Sequence, residues 1–105
     1  MEIGNSSLEN LIRQIVSEAK PLRIVLFGSA VKKGITDAGD LDLMVVVPDG
    51  THCRKTAQQL YVNIRNIGKP FDLIVTTPEI LERHKDNIGL IYRTILSEGV
   101  ELYVA

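Results

Sequence analysis

The sequence predicts an α/β fold, one mixed β-sheet flanked by helices. Helix-period and strand-like apolar patterns alternate along the chain, as expected for helices packed on a sheet. No repeat, low-complexity tract or linker-like stretch interrupts them, and 105 residues suit a single domain over positions 1–105. The third observation is local. The apolar run LMVVV is entered through two aspartates, Asp40 and Asp42, spaced two apart. In a strand both would point to one face, and two anions side by side repel unless a cation joins them.

The first element is a helix from about Ser7 to Lys20. Leu8, Leu11, Ile12, Ile15, Val16 and Ala19 form its apolar stripe, Ser6 and Glu9 suit a capping box, and Pro21 ends it. LRIVLF (Leu22 to Phe27) reads as a short buried strand closed by Gly28. Ala30 to Lys33 suit one helical turn, and GITDAG (Gly34 to Gly39) a loop in which Asp37 is an ordinary loop acid. Asp40 to Val47 form the second strand, stopped by Pro48 and Asp49-Gly50. From His52 to Ile67, Cys53, Ala57, Leu60, Tyr61, Ile64 and Ile67 keep helical spacing, with Cys53 facing the core. FDLIVTT (Phe71 to Thr77) is a third strand, and Pro78 suits the first turn of a helix running to His84. Leu90 to Glu98 read as a last helix stopped by Gly99, and Val100 to Val104 as an edge strand.

Composition narrows the function. A net charge of −1 gives no general attraction to nucleic acid, so no direct nucleic-acid binding is expected. One cysteine excludes an internal disulfide framework and a multi-cysteine zinc site. The N-terminus lacks the pattern of a secretion signal, and no apolar run approaches membrane-spanning length, so a cytoplasmic protein is expected.

The second and third strands are joined through a helix, which makes a parallel right-handed crossover the default. Asp40 and Asp42 start one strand and Asp72 is the second residue of the next, so three carboxylates could converge at one sheet edge. Gly28-Ser29 follows the first strand and reaches that edge if this strand runs antiparallel to the other two. Hence the sheet is expected to be mixed. Three aspartates there suit magnesium, which prefers oxygen ligands and commonly combines carboxylates with substrate phosphates. Two such ions clamp the attacking and leaving oxygens of an in-line displacement. Gly28 would let the backbone approach a phosphate, and Ser29 adds a hydroxyl at the start of a turn.

FGS, ten further residues, DLDL and a later FDLIV together resemble the minimal nucleotidyltransferases of the DNA polymerase β-like superfamily. Gly28, Ser29, Asp40, Asp42 and Asp72 each occupy a matching position, and DNIGLIYRTILSEGVELYV is similar to these proteins' C-terminal helix and strand. The resemblance implies the polymerase β-like nucleotidyltransferase fold, two Mg2+ ions on Asp40, Asp42 and Asp72, and transfer of a nucleoside monophosphate, AMP from ATP, to a hydroxyl. It also implies a partner, because many such short chains are encoded beside a HEPN-domain protein. They act as its antitoxin, some by adenylylating one of its tyrosines. Many relatives carry Arg directly after Gly-Ser, where this chain has Ala30. Lys32 and Lys33 are nearby candidates for the triphosphate, although Lys lacks the bidentate fork of Arg.

Plainer readings stand beside these. Ser29 suits a helix cap, Lys32 and Lys33 a solvated pair, His52 and His84 the surface, and Tyr61, Tyr92 and Tyr103 packing positions. Haloacid-dehalogenase-like phosphatases place Asp-x-Asp after an apolar strand, the reverse of the order here, and no P-loop or GxGxxG motif exists. Two other functions remain open: a catalytically weak module that neutralises a partner by binding alone, and transfer to a small molecule such as an aminoglycoside.

Overall fold

The computed structural model describes residues 3–34, 39–87 and 91–105. Asp37 and most of the GITDAG loop, and Leu90 at the expected start of the last helix, lie outside them. The order of elements is α1 (Ile3–Ala19), β1 (Arg23–Phe27), α2 (Ser29–Lys33), β2 (Leu41–Val46), α3 (Cys53–Asn63), β3 (Phe71–Thr76), α4 (Pro78–His84), α5 (Ile91–Glu98) and β4 (Val100–Val104). The four strands form one sheet in the order β3-β2-β1-β4. β2 and β3 are parallel, and β1 runs antiparallel to both β2 and β4. The mixed sheet expected from the aspartates is therefore present.

Alternation along the strands divides the core into two layers. Leu8, Leu11 and Ile15 of α1 and Leu60 of α3 pack with Ile24, Leu26, Leu41, Leu43 and Val45 on one face. Leu81 of α4 and Ile95 of α5 pack with Val25, Met44 and Val46 on the other. β2 is buried on both faces, which is why its sequence reads as a continuous apolar run. Each fully buried Leu or Ile here contributes roughly 1.5–3 kcal/mol relative to exposure.

Two expected boundaries move. Helix α1 already runs from Ile3, so Ser6 lies inside it and the capping box of Ser6 and Glu9 is not its start. Helix α3 ends at Asn63, not near Ile67. Ile64 is extended, and Asn66 and Gly68 take positive φ, yet Ile64 and Ile67 are buried in the same core. Their spacing imitates a helix because an irregular loop returns to one apolar surface. Side chains of α1 hold that loop. Gln14 accepts from Arg65 N–H (2.9 Å) and donates to Arg65 carbonyl oxygen (2.7 Å), and Asn10 donates to Asn66 carbonyl oxygen (3.2 Å). They supply partners that a helix would have provided internally.

The two sheet edges differ. At the β3 edge the Tyr61 hydroxyl accepts from Leu73 N–H at 2.7 Å, and its ring stacks on Phe71 at 5.7 Å. At the other edge β4 carries a register shift opposite Ile24/Val25 and the Arg23–Glu101 ion pair. Capping, bulging and charge all discourage pairing with a foreign strand. Among the described residues no helix is long and apolar enough to cross a membrane.

Candidate active site

The register brings the sequence motifs to one sheet edge. Phe27, the last residue of β1, lies opposite Asp42, and Asp42 lies beside Asp72 across the parallel pair. Asp40 precedes β2 by one residue. Leu41, between the two aspartates, is fully buried and donates its N–H to Pro70 carbonyl oxygen at 3.0 Å. That anchor ties the start of β2 to the segment leading into β3. By alternation Asp42 and Asp72 share the face that carries Met44, Val46, α4 and α5.

One carboxylate oxygen from each of Asp40, Asp42 and Asp72 lies within 4.8 Å of the others. Asp40 and Asp42 are half-buried, and Asp72 is exposed. The ion pairs Arg23–Glu101, Arg83–Glu79 and Lys85–Glu82 involve none of the three. Burial first, then the charges of Asp40 and Asp72, push the Asp42 carboxyl above its ordinary value. A group of anions brought together in this way is costly alone and favourable around a cation. Its all-oxygen donor set and open side fit a hard divalent ion such as magnesium.

Gly28 closes the other side. Its φ of 76° and ψ of −150° belong to a region open essentially to glycine. A Cβ at this position would run into Asp42 Oδ2 and stand 3.2 Å from Asp42 Cγ. Gly28 is thus demanded twice, by the turn from β1 into α2 and by the close approach to Asp42. It is also the N-cap of α2, with no side-chain cap, so Ser29 is the first helical residue rather than a cap. Val31 N–H donates to Gly28 carbonyl oxygen at 3.2 Å, which closes the turn.

Ala30 is buried in the first core layer. The residue after Gly-Ser therefore faces the sheet, and a long cationic side chain there would have to leave the core. Lys32 and Lys33 are both exposed, and of the two only Lys32 lines a cleft beside Gly28. This cleft, of about 300 Å3, lies between α2, the end of β1 and α5. Phe27, Val31 and Ile91 supply its apolar lining, and Thr94 and Glu98 border it from α5. None of these α5 residues was singled out from the sequence. The available signal was their 3- and 4-residue spacing along one helix face.

The remaining candidates are structural. His52 caps α3, its Nδ1 accepting from Lys55 N–H at 3.2 Å. His84 stacks on Tyr92 at 6.2 Å, joining α4 to α5. Cys53 packs against the first core layer.

Residues 8–102 match the model of a family described as the nucleotidyltransferase domain. The fold is similar to the crystal structure of a Sulfolobus solfataricus protein provisionally described as a nucleotidyltransferase. That similarity has a TM-score of 0.52 at 18% identity and covers 94% of this chain and 87% of the other. No curated protein is matched by the sequence.

Proposed function

The chain belongs to the nucleotidyltransferase domain family, and from that premise we propose that it transfers AMP from ATP to a hydroxyl acceptor, the acceptor oxygen bonding to the α-phosphorus as the bond to the β-phosphate oxygen breaks and pyrophosphate leaves. The observation that carries this reading is the convergence of Asp40, Asp42 and Asp72 from two parallel strands against Gly28. Asp40 and Asp42 would hold two magnesium ions jointly, and Asp72 would complete the coordination of one. Bound there, magnesium supplies neutralisation of phosphate charge and activation of the acceptor oxygen.

The chain's own residues do the rest. Gly28 lets the backbone meet the triphosphate, and the Ser29 hydroxyl and the N–H groups of the first turn of α2 hold its oxygens. Lys32 adds a positive charge on the same side. Asp72, the most exposed of the three acids, meets the incoming hydroxyl and takes its proton. Phosphoryl transfer needs little more than such positioning and charge compensation.

The acceptor we propose is a tyrosine of a HEPN-domain protein encoded nearby, with the chain acting as its antitoxin. A second reading, neutralisation by complex formation alone, is favoured by one observation: buried Ala30 leaves no arginine after Gly-Ser. Calorimetry should find magnesium-dependent ATP binding that an Asp40→Asn/Asp42→Asn variant loses. Equal binding by that variant would sink the metal assignment. Labelled ATP should then label the neighbouring gene's product, and labelling that persists with Asp72→Asn would refute the role given to Asp72. Binding of the partner without labelling would select the second reading.

A further inference from the structure

The cleft between α2 and α5 is contiguous with the aspartates, because Phe27 both lines it and stands opposite Asp42 in the sheet, while Gly28 borders cleft and carboxylate alike. It lies off β1, on the side of Gly28 away from β3 and Asp72. A molecule whose phosphates rest at Gly28 can therefore reach it, whereas an acceptor arriving at Asp72 comes from the opposite side. At about 300 Å3 the cleft stands at the lower end of small-molecule pockets, which run from roughly 300 to 1,000 Å3. That is room for one heterocycle rather than a whole nucleoside triphosphate.

Its lining divides the cleft: Gly28 and Lys32 stand at the end beside the aspartates, where phosphates would rest, while Phe27, Val31 and Ile91 are apolar and Glu98, an acid, borders it from α5. Ile91, on the cleft wall, is 48% exposed. Glu98 breaks a local rule. It is the last residue of α5, where the helix dipole disfavours an anion, and no basic residue lies in that turn to offset it. Among the described residues Glu98 has no ion-pair partner. Thr94 stands one turn earlier on the same helix, on the same cleft wall.

We infer that this cleft holds the amino-bearing base of the substrate nucleotide, with Phe27 against its ring, Glu98 accepting from its exocyclic amine and Thr94 donating to a ring nitrogen. The inference rests on the nucleotide reading above and adds to it the residues that select the base. A carboxylate left facing a base without that amine loses a charge-assisted hydrogen bond, and such a deficit discriminates more strongly than any change in apolar area.

Calorimetry on the full chain with Mg2+ and no acceptor separates the two ideas. Three probes suffice: ATP, purine riboside triphosphate, which lacks the 6-amino group, and inorganic tripolyphosphate, which has no base. Wild type is expected to bind ATP about tenfold tighter than purine riboside triphosphate. Glu98→Ala should erase that difference. Ile91→Trp, which fills the cleft from an exposed position, should weaken ATP by about tenfold or more relative to tripolyphosphate. Equal affinity of wild type for the two nucleosides' triphosphates would overturn the base assignment. So would unchanged ATP binding by Ile91→Trp, the result expected if the cleft instead receives a partner protein's side chain. Either failure, with tripolyphosphate still bound, leaves the nucleotidyltransferase reading standing. Absence of magnesium-dependent binding by all three probes would overturn both.

Discussion

Replacing Gly28 by alanine tests the contact on which the site is built. Gly28 has φ 76° and ψ −150°, and a residue with a side chain enters that region at a cost of about 1–3 kcal/mol. The new Cβ would also meet Asp42 Oδ2 while standing 3.2 Å from Cγ and 3.4 Å from Cβ of the same residue. Turning the carboxyl about its last bond does not clear all three atoms. Asp42 must leave its rotamer, at about 0.5–1.5 kcal/mol. Gly28→Ala is therefore expected to lose about 2–4 kcal/mol of the roughly 5–15 kcal/mol that holds a domain of this size. Urea denaturation of wild type, Gly28→Ala, Asp42→Ala and the double variant measures both parts. The alanine at 28 should cost about 1 kcal/mol less when Asp42 is already removed, because only the backbone part remains. A loss below about 0.5 kcal/mol, the range of an ordinary surface change, would refute the strain argument. Identical losses in the two backgrounds would refute the clash. The thermal shift produced by magnesium should also shrink in Gly28→Ala, since a displaced Asp42 no longer faces Asp40 and Asp72.

The raised Asp42 carboxyl sets a pH dependence. The folded metal-free protein holds that proton to higher pH than the unfolded chain, so it binds more protons in the window above the ordinary carboxylate value, and stability falls as pH rises through it. Asp42→Asn should be more stable than wild type at neutral pH without metal and should lose that part of the pH slope; denaturation midpoints with an unchanged slope would contradict the assignment. Tyr61→Phe keeps the stack on Phe71 but leaves Leu73 N–H at the β3 edge without its partner. It should cost about 0.5–1.5 kcal/mol and speed exchange of that amide, and unchanged protection of Leu73 would argue against the cap. Thr76 is fully buried, and its hydroxyl has no hydrogen-bond partner among the described residues. Thr76→Val should be neutral or stabilising by about 1 kcal/mol, and a clear loss in the urea midpoint would point to an interaction the hydroxyl makes.

How far the sequence reaches depends on the kind of signal. Strands β1, β2 and β3 were legible to within a residue, because a sheet buried on both faces imposes apolar runs that Gly28, Pro48 and Pro78 punctuate. The C-terminal half of the third helix was not. Ile64 and Ile67 keep a helical interval, yet they reach the core from a loop whose backbone partners, Gln14 and Asn10, lie about fifty residues earlier. Periodicity reports which residues are buried, not which path the backbone takes between them. The start of α1 moved for a related reason. Ser6 offers a cap, but a helix continues through such a residue when nothing stops it.

For the site, residue types and spacing pointed to Asp40, Asp42 and Asp72 meeting at one sheet edge with Gly28 beside them, which holds only in a mixed sheet, and the structure brings these four residues together. A period of two fixes which side chains share a face, and the alternation of strands and helices fixes which ends meet. Three matters were left to the tertiary structure. Ala30 turned out to face the core, because the handedness of α2 aims the residue after Ser29 at the sheet. Lys32 and Lys33 separated, both exposed but only Lys32 bordering the cleft. The cleft itself joins Phe27 to Thr94 and Glu98 across some seventy residues of chain. The chemistry of the carboxylates is a property of local sequence and could be read there. The space beside them exists through the packing of α5 against β1, and no local pattern encodes a distance between elements so far apart.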